Sequence, residues 1–76
     1  MNILKNRIQV ERKANGLSQE ELAQKCKVSR QTINAIENDK YDPSLQLAFT
    51  LSYVLGLPIE ELFIFKYERD ENNDNS

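Results

Sequence analysis

Apolar positions recur along this chain at helical steps of three or four residues, and turn residues interrupt them at several points. Leu4, Ile8 and Arg12 are spaced by four and share a face. That spacing predicts a first helix over residues 4–14, stopped by Asn15-Gly16, where Gly suits the left-handed position past a helix end. Val10 points away from that face and has no evident role in a core. Ser18 with Glu21 three residues on is a capping box. It opens a second helix whose inward residues are Leu22 and Cys26, with Ala23 small where two helices cross. Lys27 lies in a turn anchored by Val28, and Ser29 caps a third helix with Ile33 and Ile36 on its apolar side. Residues 38–43 are a loop. Ser44 caps a fourth helix, Leu45 to Leu55, ended by Gly56. Its expected buried stripe is Leu45, Ala48, Leu51, Ser52 and Leu55, flanked by Leu47 and Val54. Leu57-Pro58 leads into a short fifth helix with Glu60 and Glu61 in its first turn, and Leu62 and Phe63 close the core.

The period changes at residues 63–67, FIFKY, where Phe63, Phe65 and Tyr67 alternate with Ile64 and Lys66. A strand there needs a partner, and Asn2 to Leu4 is the other extended candidate. The expected architecture is all-α, five helices with a short two-stranded terminal ribbon.

The surface of the third helix is unusual. At about 100° per residue, Gln31, Asn34, Ala35 and Asn38 fall opposite the isoleucines. This face carries planar amides and a methyl group, with neither a Glu–Lys ladder nor a long apolar side chain. Side-chain amides match adenine edges, and small apolar groups touch the thymine methyl, so this is a face suited to the major groove of DNA. The first turn of the helix holds Arg30 and no acid. A cation at a helix N-terminus is mildly unfavourable, roughly half a kcal/mol, unless an external anion such as a phosphate compensates.

Composition bounds this reading. The chain has 76 residues, enough for one small domain. A chain this short buries only about 60% of its unfolded surface, so the core is modest. One cysteine and no histidine exclude an intramolecular disulfide, His-based catalysis and Cys/His zinc sites. Cys26 is expected to be a small buried apolar residue rather than a reactive thiol. No paired or activated groups suggest an enzyme, and neither a cofactor nor a metal is expected. No apolar run is long enough to span a membrane, and the N-terminus is too charged for a signal-peptide core. A cytoplasmic, nucleoid-associated protein is the expectation.

The net charge of −2 at first argues against nucleic acid. Its distribution softens that objection. Glu68, Asp70, Glu71 and Asp74 against Arg69 put residues 68–76 at −3, which leaves residues 1–67 at +1. The expected organisation is a domain over 1–67, with its helix pair at 18–38, and an acidic, disordered tail over 68–76. Lys25, Lys27, Arg30 and Lys40 cluster in or beside the helix pair. Such a cluster marks either a nucleic-acid patch or an ordinary solvated face.

Two charges sit on otherwise apolar faces, Arg12 on the first helix and Glu37 on the third. They are expected to pair, because a partly buried charge is costly alone; the alternative is that both reach solvent at the edge of the core. The ribbon poses a similar choice. Its aromatic residues either fold back over the helices or form an interface. A homodimer joined through Leu62, Phe63, Ile64, Phe65 and Tyr67 is expected, since operator-binding domains of this size pair to gain a second half-site.

Taken together, GLSQEELA, VSRQTI, IEN ahead of Lys40, the Pro-Ser opening of the fourth helix and LGLPIEELF resemble the lambda-repressor-like, Cro/C1-type (XRE) helix-turn-helix family over residues 4–63. The resemblance implies that Gln19, opening the second helix, anchors to a phosphate. It implies that Ser29, Arg30, Gln31, Thr32 and Asn34 meet base edges, and that Asn38 and Lys40 touch the DNA backbone. It also implies a buried pair matching Arg12 with Glu37 and, as in some compact members, dimerisation through a terminal ribbon. The chain departs from the family pattern at Lys27 and Asp39, where many relatives carry Gly, and at Glu11, where many carry Leu. A left-handed Lys27 would be modestly strained, and an acid at 39 would weaken phosphate binding unless it points away. The expected function is sequence-specific regulation of transcription, as a repressor on an inverted repeat of double-stranded DNA. A regulatory protein partner is also expected. The rivals are an antitoxin whose acidic tail wraps a basic toxin, and a protein-interaction module that kept the fold.

Overall fold

The structure, a computed structural model, describes residues 2–67; the expected tail at 68–76 lies outside the described residues. The chain runs β1 (Asn2–Asn6), α1 (Ile8–Ala14), α2 (Gln19–Cys26), α3 (Arg30–Glu37), α4 (Leu45–Leu55), α5 (Ile59–Leu62) and β2 (Phe63–Tyr67).

Local chemistry fixes both ends of most helices. The Ser18 hydroxyl accepts from the Glu21 amide at 3.0 Å while the Glu21 carboxylate accepts from the Ser18 amide at 2.8 Å. Ser29 and Ser44 cap α3 and α4 through the amides of Thr32 and Leu47. Four helices then end in one kind of closing turn, a left-handed residue followed by an amide that reaches back five positions. The left-handed residues are Gly16, Lys27, Asp39 and Gly56. The closing bonds run from Leu17 to Arg12, Val28 to Ala23, Lys40 to Ala35 and Leu57 to Ser52, at 2.9–3.2 Å. Glycine takes the left-handed conformation freely, but Lys27 and Asp39, both at φ 60°, hold it against a cost of order 1 kcal/mol.

The core gathers one face of every helix: Ile8, Leu22, Ile33, Ile36, Leu51 and Leu62 are fully enclosed, with Ala23, Cys26, Leu47 and Leu55 around them. A Leu or Ile buried in this way contributes about 1.5–3 kcal/mol. Burial pushes the Cys26 thiol up from its ordinary value, which favours its protonated form.

Two sequence expectations are corrected. The first helix begins at Ile8, not residue 4. Residues 2–6 are extended, the Arg7 amide donates to the Leu62 carbonyl at 2.9 Å, and the Asn6 side chain accepts from the Ile8 amide at 3.1 Å. Strand pairing and this side-chain turn outweigh the Leu4–Ile8–Arg12 spacing. In α4 the inward row is Leu47, Leu51 and Leu55 with Ala48, whereas Leu45 is 73% exposed. Leu45 lies in register with exposed Phe49 and Tyr53, on the row facing away from the core.

β1 and β2 pair antiparallel, with Ile3 opposite Lys66, Leu4 opposite Phe65, Lys5 opposite Ile64 and Asn6 opposite Phe63. The partner strand is therefore longer than Asn2 to Leu4. Opposed residues share a face. Phe63 rests against the core at the base of one face, while Phe65 and Tyr67 stand exposed further along it, their ring centroids 6.5 Å apart.

Candidate nucleic-acid interface

The α2–α3 pair is built by the turn between them. The closing turn at Lys27 ends α2, Val28 packs against the core, and Ser29 starts α3 two residues after the left-handed Lys27. α3 then lies with Ile33 and Ile36 inward and with Gln31, Asn34 and Asn38 exposed. Ala35 is half-buried between them.

A bonded chain of side chains fixes how α3 sits on α1 and α2. Arg12 donates to both carboxylate oxygens of Glu37, Nε to Oε2 at 2.7 Å and Nη2 to Oε1 at 3.1 Å, and its Nη1 donates to the Leu17 carbonyl at 2.9 Å. The side chains of Arg12 and Glu37 are only 9% and 2% exposed. The hydrogen bond to Glu37 raises the Arg12 pKa, with burial opposing it. Glu37 Oε1 also accepts from Gln19 Nε2 at 3.0 Å, and Asn34 Nδ2 lies 3.5 Å from Gln19 Oε1. Gln19, Glu37 and Asn34 are thus brought together at the seam of the two helices.

The remaining residues divide into two kinds. Ser29 and Thr32 are engaged locally: their hydroxyl oxygens are 2.9 Å apart, and Ser29 also holds the Thr32 amide. Asn38 turns its Nδ2 back to the Asn34 carbonyl at 2.8 Å. Arg30, Gln31 and Lys40 stand exposed. Lys25 and Lys27 line an open groove of about 420 Å³ between α2 and α4, with Ser44, Gln46 and Thr50 on the far wall.

Asp39, the acid beside Lys40, is turned toward β1. Its Oδ2 lies 3.3 Å from Lys5 Nζ and its Oδ1 3.5 Å from Asn6 Nδ2, and Asn6 Nδ2 donates to the Ile36 carbonyl at 2.9 Å. Sequence reasoning missed Lys5 and Asn6. The available signal was Asn6 two residues ahead of Ile8, a helix-start residue hidden by reading the helix through it.

Two short helices joined by a tight turn, with an amide-bearing outer face on the second, define a helix-turn-helix DNA-binding domain. The chain belongs to the Cro/C1-type helix-turn-helix family, and the helix-turn-helix family model matches residues 8–62. It is 53% identical over 68 residues to an uncharacterised HTH-type transcriptional regulator of Methanocaldococcus jannaschii, a match covering 90% of this chain and all of that protein. A second such regulator, from Archaeoglobus fulgidus, is 46% identical over 65 residues, covering 86% of this chain and 93% of that protein. Among solved structures, a chain of the SinR protein/SinI protein complex superposes with a TM-score of 0.70 at 31% identity. That match covers 92% of this chain and 63% of the solved one, so this chain spans less than two thirds of its length. The protein is a DNA-binding transcriptional regulator and not an enzyme. Among the described residues no helix is long and apolar enough to cross a membrane, and no group of His, Cys, Asp or Glu is placed to hold a metal.

Proposed function

We propose that this protein is a repressor that binds an inverted-repeat operator as a homodimer, in the cytoplasm and on the nucleoid. α3 enters the major groove. Arg30, Gln31 and Asn34 read base edges, with Ser29 and Thr32 at the rim of the groove, while Gln19, Asn38 and Lys40 set the register on the phosphates. The observation that carries the reading is the outer face of α3: exposed amides at Gln31, Asn34 and Asn38, on a helix locked to its neighbours through Glu37.

The dimer rests on the ribbon. On one face of it Phe65 and Tyr67 are 60% and 64% exposed, with Phe63 half-buried at their base, and on the other face Ile64 is 43% exposed opposite Lys5. Leu62 is withdrawn from this patch: it is fully buried in the core of its own protomer and has no surface to offer. Because Asn6 ties the ribbon to the C-terminus of α3, ribbons joined in a dimer would hold two α3 helices at a common spacing. Successive half-sites on one side of DNA lie about 34 Å apart. A regulatory protein partner belongs to the same reading. The matched SinR chain is solved with SinI, and α4 here exposes an apolar row of Leu45, Phe49 and Tyr53.

Gln31→Ala tests the base-reading role. It should weaken binding to the operator by about 1–3 kcal/mol and leave affinity for random DNA nearly unchanged in a fluorescence titration. Equal loss on both DNAs would contradict it.

A further inference from the structure

We infer that Asn6 is a positioning residue for DNA binding: from the ribbon, it sets the conformation of the turn that presents Lys40. This rests on the reading of Lys40 as a phosphate contact. Asn6 touches three elements at once. Its Oδ1 holds the Ile8 amide at the start of α1, and its Nδ2 donates to the Ile36 carbonyl at the end of α3. The same Nδ2 lies 3.5 Å from the Asp39 carboxylate, which Lys5 approaches from the neighbouring position on β1.

The turn it grips is one that needs holding. Asp39 is left-handed at φ 60° without being glycine. The Asp39 and Lys40 amides close the helix onto the Ile36 and Ala35 carbonyls at 3.1 and 2.9 Å. The Ile36 carbonyl therefore accepts from both the Asp39 amide and Asn6. Loss of Asn6 removes a donor from that carbonyl and leaves the strained residue held on one side by Lys5 alone. That ion pair is exposed, with side chains 58% and 38% accessible, and contributes little by itself. A second effect is electrostatic. Turned to Asn6 and Lys5, the Asp39 carboxylate is kept off the path of a phosphate approaching Lys40; released, it would repel that phosphate.

The salt dependence of DNA binding distinguishes this role from a merely structural one. A lysine that leaves a phosphate lowers the slope of log affinity against log salt by about one. Asn6→Ser keeps an oxygen for the Ile8 amide, because a serine hydroxyl can make the same turn onto the amide two residues on, though more weakly, but it cannot span to Ile36. Although uncharged, it should lower the slope by about one per protomer, about two for the dimer on its operator, as Lys40→Ala does, and weaken operator binding about tenfold per protomer. The double variant should lose no more than Lys40→Ala alone. An unchanged slope, or losses that multiply, would overturn the inference. Amide exchange in the free protein provides a second measurement whatever the affinity: Asp39 and Lys40 should exchange faster in Asn6→Ser while Ile33 does not, and equal protection in both proteins would count against the proposal. If wild-type Lys40→Ala shows no change in slope, the phosphate reading of Lys40 fails, and that failure is seen without any Asn6 variant.

Discussion

Glu37 is the residue on which the position of α3 turns. It takes two hydrogen bonds from Arg12 and one from Gln19, in a site where both charges are almost fully enclosed. Its energetic weight lies in what its loss would leave behind. Glu37→Gln strands a buried guanidinium, and breaking a buried pair in this way costs about 3–5 kcal/mol. Urea unfolding should show a loss of that size, a large share of the stability of so small a domain; a loss below about 1 kcal/mol would mean that Arg12 finds water when unpaired. The two charges are conspicuous in the sequence because each interrupts an apolar face. The part played by Gln19 is less so, since an exposed-looking helix-start residue gives no sign that its amide will reach a carboxylate on the next helix. Asp39 shows the same limit. Its sequence neighbours say only that an acid stands beside Lys40; its direction is set by Lys5 and Asn6, more than thirty residues away.

Among elements, α2 shows most plainly how sequence becomes boundary. Ser18 and Glu21 satisfy each other's amides at its start. The bond from the Ser18 backbone amide first, and the Ser18 side chain second, hold the Glu21 pKa below its ordinary value. A carboxyl whose folded pKa is lowered stabilises the fold fully above its unfolded pKa and loses that contribution as pH falls through the folded value. The stability gap between wild type and Glu21→Gln should therefore shrink as pH drops below about 4.3, measured by thermal melts from pH 7 to pH 3. A gap that stays constant over that range would contradict the cap. The starts of α2, α3 and α4 were legible because Ser carries its own mechanism. The start of α1 was not, because Leu4, Ile8 and Arg12 mimic a helical face while the backbone of residues 2–6 is spent on β2. The phase of α4 was also misread at Leu45. With leucines at 45, 47, 51 and 55, spacing alone leaves two candidate faces, and only packing chooses Leu47.

At the scale of the molecule, the ribbon connects the two halves of the proposed function. Its base is bonded to α3 and α5, and its exposed aromatics are the surface that the proposed dimer would use. Phe65→Asp places a charge on that surface without touching the core. It should convert a dimer to a folded monomer in sedimentation equilibrium, with the helical signal unchanged; a variant that still dimerises would move the interface elsewhere. The strand at 63–67 was legible from its alternation, and so was the helix-turn-helix from its caps and its outer face. How those aromatics would meet a second copy is not legible from spacing, because a self-complementary fit depends on the folded shape of the patch rather than on the order of its residues. The first measurement is selection of bound sequences from a random pool of duplex DNA at physiological salt. Enrichment of an inverted repeat, with half-site centres about one helical turn apart, is the expected result and would establish the sequence-specific dimer. Enrichment of single half-sites would contradict the dimer, and a folded protein that enriches nothing would contradict sequence-specific binding by this chain.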